Sequence, residues 1–160
     1  MGTVLTWDEA LVERALRRRY RETVVFTNGV FDLLHVGHLD LLEQAKELGD
    51  YLIVGVNGDS STHRLKGFGR PIVPAAERAR LVAALAPVDT VVTFNQDTAE
   101  QLVEALRPDV YAKGGDWSER SPPPESAVVE AYGGRIQYLT YLPDHSTTRL
   151  IQRILRTLER

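Results

Sequence analysis

Cysteine is absent from the 160 residues of this chain, which excludes disulfides, thiolate catalysis and zinc sites built on cysteine. An apolar run of the roughly 18 residues that a membrane span needs is missing as well. The first nine residues turn acidic at Asp8 and Glu9 and do not follow the basic-then-apolar pattern of a signal peptide. We therefore expect a cytoplasmic protein that does not associate with membranes.

The chain also lacks an excess of basic residues. Its 19 basic and 22 acidic side chains give a formal net charge of −3 and a pI near 5.8, which argues against nucleic acid as a partner. Lysine is rare, since Lys46, Lys66 and Lys113 stand beside 16 arginines. A lysine ammonium is a compact point charge, so these three positions are of interest for phosphate binding.

The length and composition predict a single domain. A chain of 160 residues with 43% hydrophobic residues is long enough to bury one stable core. We expect one domain over residues 1–160, with an N-terminal helix within residues 1–20 and the core in residues 21–158.

Five short runs rich in β-branched residues alternate with helical patterns. The runs cover residues 23–27, 51–56, 90–94, 109–112 and 136–139. This alternation predicts an α/β fold with a doubly wound, five-stranded parallel sheet and helices on both faces. Ligands bind such sheets beyond the carboxyl ends of the strands. Functional residues are therefore expected at residues 27–38, 57–59, 113–116 and 144–148.

The loop at residues 27–38 carries the strongest pattern, because two of the four histidines lie in it and flank a glycine. His35 and His38 are three residues apart, which places both on one side of a helix entry. Gly37 between them allows backbone to approach a ligand closely. The helix start adds free N–H groups and a positive dipole end, so the loop suits a phosphate whose charge grows during a reaction.

Two other interpretations of this loop remain open. One histidine would cap the helix while the other is solvated, or the pair would chelate zinc, although no third ligand has an obvious spacing and Asp32 is the nearest candidate. The loop matches neither the P-loop nor the Gly-x-Gly-x-x-Gly pattern of dinucleotide-binding proteins.

Polar residues also follow the other predicted strands, and each group has a structural alternative. Lys113-Gly114-Gly115-Asp116 offers a charge for phosphate and an acceptor for a hydroxyl or metal-bound water, or forms an ordinary turn. The segment 144–148 offers hydroxyls to a nucleotide or caps the last helix. Arg70 is an anion clamp or is solvated. Lys46 lies two turns after His38 on the same helix face, where it reaches a phosphate tail or stays on the surface.

Taken together, these residues resemble the cytidylyltransferase-like nucleotidyltransferase superfamily. The pattern Thr-x-Gly-x-Phe-Asp-x-x-His-x-Gly-His spans residues 27–38. The segments 57–59, 64–67, 70–74, 77–78, 84–85, 88–89, 113–116 and 146–148 are similar to the adenylyltransferase domain of the bifunctional heptose kinase/adenylyltransferases. The resemblance covers about residues 21–158, contains no kinase part, and suggests the stand-alone form of the transferase.

The resemblance implies a Rossmann-like nucleotidyltransferase fold and a set of roles. His35 and His38 would stabilise the transition state, and Lys46 would bind the β- and γ-phosphates. Mg²⁺ would be carried mainly by the triphosphate, without a dedicated set of metal ligands in the protein. The residues implied in nucleotide binding are Thr27, Asn28, Gly29, Phe31, Asp32, Gly37, Lys113, Gly114, Asp116, Ser146, Thr147 and Thr148. Those implied in substrate binding are Asn57, Asp59, Lys66 and Arg70.

The sequence departs from that branch at a few positions. Val30 replaces a common cysteine, Trp117 replaces a usual tyrosine, and Asp144-His145 stands where the branch has a glycine and a small or apolar residue. The departure at 144–145 bears on the preference for a nucleotide base.

The leading hypothesis is transfer of AMP from ATP to a sugar 1-phosphate, with D-glycero-β-D-manno-heptose 1-phosphate as the expected acceptor and ADP-heptose as the product. The enzyme alternative is a cytidylyltransferase acting on glycerol 3-phosphate or another polyol phosphate. The non-enzyme alternative is a nucleotide-binding regulatory module. A homo-oligomer such as a dimer is expected by analogy with the family.

Overall fold

A parallel sheet of six strands forms the centre of the protein, for which a computed structural model describes residues 1–115 and 117–159. The strands are β1 (Thr3–Leu5), β2 (Val24–Gly29), β3 (Tyr51–Asn57), β4 (Thr90–Phe94), β5 (Val110–Lys113) and β6 (Arg135–Tyr138). The helices are α1 (Trp7–Arg19), α2 (Val36–Lys46), α3 (Asp59–Lys66), α4 (Ala75–Ala83), α5 (Glu100–Leu106), α6 (Ser126–Ala131) and α7 (Thr147–Leu158).

Neighbouring strands along the sheet run in the order β1-β4-β3-β2-β5-β6. From β2 the chain adds β3 and β4 on one side and then β5 and β6 on the other. The strand order therefore reverses between β2 and β5, and the carboxyl ends of these two strands frame the crevice in which such sheets bind ligands.

Two apolar cores, one on each face of the sheet, confirm the predicted arrangement of helices. Successive residues of a strand face opposite sides, so Val25 packs in one core while Val24 and Phe26 pack in the other. The first core takes its helical residues from α2 and α4, and the second takes them from α1, α5 and α6. Within the described residues, the 26 buried hydrophobic side chains all belong to one of these two cores.

The sheet has one strand more than the five predicted, because β1 pairs with β4 at the edge. With only three residues, none of them buried, β1 is too short to show an alternating pattern. The following helix, α1, begins at a reciprocal capping box formed by Thr6 and Glu9. Helix α5 has Ala99 as its N-cap, and Asp97 pairs with Arg64.

Candidate active site

The two histidines stand at the start of α2, directly beyond the carboxyl end of β2. His35 is the N-cap residue and His38 lies in the first turn. Their rings are stacked, with centroids 3.8 Å apart and planes inclined by 24°. The first N–H groups of any helix have no intrahelical acceptor, so the imidazole pair and these amides together present hydrogen-bond donors to one place.

Gly37 leaves room for the side chains of His35 and His145. A Cβ at this position would lie 3.1 Å from two atoms of the His35 ring and 3.0 Å from the Cβ of His145. These separations are tighter than ordinary van der Waals contacts. The glycine therefore lets two histidine side chains from distant parts of the chain rest against the same Cα atom.

Burial favours the neutral form of both histidines of the pair. It lowers the pKa of His38 to about 4, an effect that the neighbouring His35 increases and Asp32 opposes. Burial and the charge of His145 also lower the pKa of His35. The backbone N–H of His35 donates to Nδ1 of His38 over 3.4 Å, so in the neutral His38 ring the proton sits on Nε2. His38 is thus oriented as a donor through Nε2.

Asp32 is buried beneath the loop and binds protein groups. Its carboxylate accepts hydrogen bonds from Nε of Arg70 at 2.8 Å and from the backbone N–H groups of Ile72 and Val73 at 2.9 and 3.0 Å. Burial alone would raise the pKa of Asp32, but the two amides and the Arg70 guanidinium lower it below its ordinary value. Asp32 therefore fixes the segment 70–73 against the histidine loop.

Arg78 holds the histidine loop and the segment 70–73 in place. The sequence did not single it out as a site residue. It is 1% exposed, and its guanidinium donates to the backbone carbonyls of Val30, Asn57 and Val73 at 2.6–2.8 Å. It also pairs with Asp59 at 2.8 Å. A buried arginine bonded to three loop carbonyls acts as a rigid support for the loops that form the site.

The start of α7 closes the site from the other side. Ser146 is the N-cap, as predicted, and its Oγ accepts from the N–H of Arg149 at 3.2 Å. The Thr147 hydroxyl donates to the backbone carbonyl of Asp32 at 2.6 Å. This bond ties the N-terminus of α7 to the histidine loop, so two helix N-termini border the same space.

Behind the histidines, the ends of β2 and β5 are joined by a buried polar cluster. Oδ1 of Asn28 accepts from the Tyr111 hydroxyl at 2.8 Å and from Nζ of Lys113 at 3.0 Å. Burial lowers the pKa of Lys113, and the carboxylate of Glu125 counteracts that effect. Burial likewise raises the pKa of Tyr111 well above its ordinary value. The cluster holds the two strand ends together at the switch point.

A cavity of about 360 Å³ lies between these elements. Eleven of the residues selected from the sequence line it: Phe31, Asp32, His35, Gly37, His38, Lys66, Arg70, Gly114, Ser146, Thr147 and Thr148. Gly114 brings the loop after β5 against α2, since a Cβ there would lie 2.5 Å from the side chain of Leu41. The strand-end rule, by which ligand-binding residues follow the carboxyl ends of the strands, thus located residues from three separate segments.

Lys46, which was expected to reach the phosphate site, does not line the cavity. Its Nζ lies 2.6 Å from the carboxylate of Asp89 and 2.6 Å from the backbone carbonyl of Asp50. These two residues directly precede β4 and β3 and therefore mark the amino edge of the sheet. At 1.5 Å per residue, eight helical residues separate Lys46 from His38 by about 12 Å along α2.

Further residues selected from the sequence also stand outside the cavity wall. Asn57 and Asp59 support the loops through Arg78, and Asp59 also accepts from the N–H of Ala75 at 2.8 Å. Both residues thus have structural partners, and the substrate contacts expected of them stay predictions. The others are the strand-end residues Thr27, Asn28, Gly29 and Lys113, which lie behind the wall. Asp116 falls outside the described residues.

Seven residues of the wall were not selected from the sequence: Val30, Leu41, Gly115, Thr140, Tyr141, Leu142 and His145. The segment 140–142 follows β6 directly, so the strand-end rule applied to the last strand is the signal that would have found it. Val30, Gly115 and His145 lie in segments that were expected to be functional, although none of the three was given a role of its own.

The site offers little for direct binding of a metal. Within the described residues, Asp32 is the single carboxylate in the cavity wall, and it already binds Arg70 and two amides. No group of three histidine, aspartate or glutamate side chains in the described part of the chain is placed to hold a metal ion. Nor does any helix there have the length and apolar character to cross a membrane.

A parallel α/β sheet with paired histidines at its switch point defines an α/β protein whose candidate ligand site lies at the carboxyl ends of the strands. Comparison with known proteins assigns the family. Residues 26–153 match the cytidylyltransferase-like family, and the chain belongs to it.

Several curated relatives carry the name bifunctional protein HldE. That of Syntrophotalea carbinolica is 48% identical over 148 residues, which are 90% of this chain and 29% of the relative. That of Geotalea uraniireducens is 52% identical over 132 residues, or 82% of this chain and 26% of the relative. This chain therefore spans less than a third of the length of these relatives.

A solved structure with a similar fold is the lipopolysaccharide core biosynthesis protein from Thermoplasma volcanium. It aligns with a TM-score of 0.63 and 26% sequence identity over 76% of this chain and 97% of its own. Nearly the whole of that protein therefore has the same fold as about three-quarters of this chain.

Proposed function

We propose that this protein is a nucleotidyltransferase that transfers AMP from ATP to a sugar 1-phosphate and releases pyrophosphate. The observation that carries the proposal is the stacked pair of His35 and His38 around Gly37, at the start of α2 and in the wall of the switch-point cavity. Membership of the cytidylyltransferase-like family and 46–52% identity to HldE proteins support it.

In this reaction a phosphate oxygen of the sugar phosphate attacks the α-phosphorus of ATP. A new P–O bond forms, the bond between the α-phosphorus and the oxygen bridging to the β-phosphorus breaks, and pyrophosphate leaves with that bridging oxygen. Negative charge increases on the non-bridging α-oxygens as the phosphorus becomes five-coordinate. Positioning and charge stabilisation supply most of the catalysis in such transfers.

His35 and His38 are placed to stabilise that charge. Nε2 of neutral His38 donates a hydrogen bond whose direction is fixed by the contact of Nδ1 with the backbone. The N-terminal amides of α2 add donors and the positive end of the helix dipole. Because these groups are held in place before the substrate binds, no reorganisation is needed as the charge develops.

Lys66 and Arg70 line the same cavity as the histidines and are suited to the acceptor phosphate. Asp32 holds Arg70 through Nε, and among the described residues no acceptor takes the terminal N–H groups of the guanidinium, which stay available to a ligand. Two cations in the wall would bring a second phosphate toward the α-phosphorus. This supports a phosphorylated acceptor over a neutral sugar.

Magnesium belongs to the substrate in this proposal. Asp32 is engaged by Arg70, so the described part of the wall leaves no free carboxylate for the ion. Mg²⁺ suits binding through phosphate oxygens and water, where it would neutralise charge on the triphosphate. Ser146, Thr147 and Thr148 would close over the nucleotide phosphates from the start of α7.

We further propose D-glycero-β-D-manno-heptose 1-phosphate as the acceptor, ADP-heptose as the product, the cytoplasm as the compartment, and a dimer as the assembly. The similarity to HldE proteins along 82–94% of this chain supports the acceptor. The similar fold of the Thermoplasma volcanium protein, which is described as acting in lipopolysaccharide core biosynthesis, is consistent with a sugar substrate.

The test crosses ATP and CTP against heptose 1-phosphate, other sugar 1-phosphates and glycerol 3-phosphate, with Mg²⁺ and pyrophosphatase, and measures phosphate release. We expect release with ATP and heptose 1-phosphate. Release only with CTP and a polyol phosphate would replace the proposal by the cytidylyltransferase alternative. Nucleotide binding without release from any pair would favour a regulatory module.

A further inference from the structure

His145 is the wall residue whose chemistry the proposed function leaves unused. It lies in the segment between β6 and α7, far in sequence from the pair at 35 and 38, yet it faces the same cavity. A Cβ on Gly37 would be 3.0 Å from the His145 Cβ and 3.1 Å from the His35 ring. The two side chains therefore flank one glycine.

The His145 ring is held in a fixed orientation. Its Nδ1 lies 2.7 Å from the backbone carbonyl of Pro143, which makes Nδ1–H the donor. The backbone carbonyl of His145 accepts from the Tyr141 hydroxyl at 2.7 Å. These contacts use Nδ1 and the backbone, and within the described residues no group hydrogen-bonds to Nε2. That nitrogen is left for a ligand in the cavity.

The surroundings of His145 favour an anionic ligand. The next residue, Ser146, is the N-cap of the twelve-residue helix α7, so the positive end of that helix lies beside the ring. Asp144, the nearest carboxylate along the chain, is already paired with Arg149. A charge on His145 is also felt at His35, where it lowers the pKa of that ring. His145 and His35 therefore act on one electrostatic site.

We propose that His145 is a third phosphate-binding imidazole, which binds the β- and γ-phosphates of the nucleotide through Nε2 and holds the pyrophosphate as it leaves. The inference rests on the proposed function and adds to it. His35 and His38 stand at the start of α2 and act at the α-phosphate. His145 stands at the start of α7 and takes the remainder of the triphosphate. Each helix N-terminus thus serves one part of the same ligand.

A phosphate-bound imidazole must carry a proton on Nε2. Since Nδ1–H already donates to Pro143, the bound form is the imidazolium, with one N–H for the protein and one for the phosphate. An anionic ligand favours this form. Hydrogen bonds to charged groups of this kind change affinity by about tenfold or more.

The experiment compares His145→Phe with His145→Gln. Phenylalanine keeps a planar ring against Gly37 but has no donor, whereas glutamine places an N–H near the position of Nε2. For His145→Phe we expect about a tenfold rise in the KM for MgATP and in the inhibition constant of pyrophosphate, with kcat changed by much less. His145→Gln should recover a large part of the pyrophosphate affinity. His63→Phe, at an exposed position of α3, is the matched control and should leave all three constants unchanged.

Calorimetric binding of Mg²⁺-pyrophosphate, measured without an acceptor, separates this proposal from the proposed function. If no acceptor supports turnover but the affinity for pyrophosphate still falls in His145→Phe, the proposed reaction fails and the role of His145 stands. Equal affinities in the wild type and both variants would overturn the role, because the ring would then only pack. So would equal losses in His145→Phe and His145→Gln, since the donor would not matter.

Discussion

The two ends of helix α2 use similar residues in opposite ways. At its start, His35 and His38 face a cavity, and Nδ1 of His35 is buried with no hydrogen-bond partner among the described residues. At its end, Lys46 is bound by the carboxylate of Asp89 and a backbone carbonyl. At the first end, polar atoms are therefore available to a ligand. At the second end, the charge of Lys46 is neutralised by a carboxylate of the protein. Polar groups at the carboxyl edge should therefore govern activity, and those at the amino edge should govern stability.

The largest effect is expected for His35→Ala and His38→Ala. Removing one preorganised donor from a site of developing charge lowers kcat by about 100- to 1,000-fold in comparable cases. Pyrophosphate release with the best acceptor measures kcat, and urea denaturation measures the free energy of unfolding, which should change little by comparison. His63→Ala serves as the control. Turnover unchanged in either variant would end the proposed mechanism.

Arg78, which supports the histidine loop, should contribute more to the free energy of unfolding than the polar residues at either end of α2. Arg78→Met removes a buried guanidinium and leaves the carbonyls of Val30, Asn57 and Val73 without their donors. We expect a loss of about 3 kcal/mol in the free energy of unfolding. Arg80→Met, at an exposed position of the same helix, should cost far less. Similar midpoints in urea for the two variants would contradict the role given to Arg78.

The buried histidine makes stability depend on pH in a definite direction. His38 takes up a proton near its ordinary pKa of 6.5 in the unfolded chain and at a pKa of about 4 when folded. Between these values the unfolded state binds more protons, so the free energy of unfolding falls as the pH drops from 6.5 to 4. Well above the ordinary pKa both states are neutral, and His38 contributes no pH dependence there.

This contribution amounts to at most about 3 kcal/mol. His38→Gln removes it, so the difference in unfolding free energy between about pH 7.5 and about pH 4.5 should be smaller in the variant than in the wild type. His63→Gln should keep the dependence of the wild type on pH. An equal dependence in all three proteins would mean that the folded protein does not suppress protonation of His38.

The sequence predicted best what lies close together along the chain. His35, Gly37 and His38 follow one buried strand, so a local pattern indicated their common site, and the strand-end rule added Gly114 and the segment 146–148. The five longer strands were also predicted, from short runs rich in β-branched residues. Strand β1 was not predicted, because its three residues lie at a sheet edge, none of them is buried, and they are too few to show a strand pattern.

What failed depends on contacts between distant segments. Asp59 follows a strand as a substrate ligand would, yet Arg78, nineteen residues later, takes its carboxylate. His145 reaches the histidine pair across more than one hundred residues, and its closeness to Gly37 follows from how α7 docks on the loop through Thr147 and Asp32. Spacing along a helix or a loop does not contain this information.

Lys46 gives the smallest expected effect and the sharpest test of the difference between the two ends of α2. Its shared face with His38 suggested a triphosphate contact, whereas the structure pairs it with Asp89, each side chain being about one-third exposed. Lys46→Met should therefore leave the KM for MgATP unchanged and reduce the free energy of unfolding by about 1 kcal/mol or less, as for partly exposed ion pairs. Adding about 0.5 M NaCl should narrow the gap in stability between the wild type and the variant, because salt screens such pairs. A clear rise in the KM for MgATP in Lys46→Met, with stability unaltered, would instead show that the side chain leaves Asp89 for the triphosphate, and the distinction between a catalytic and a structural end of α2 would no longer hold.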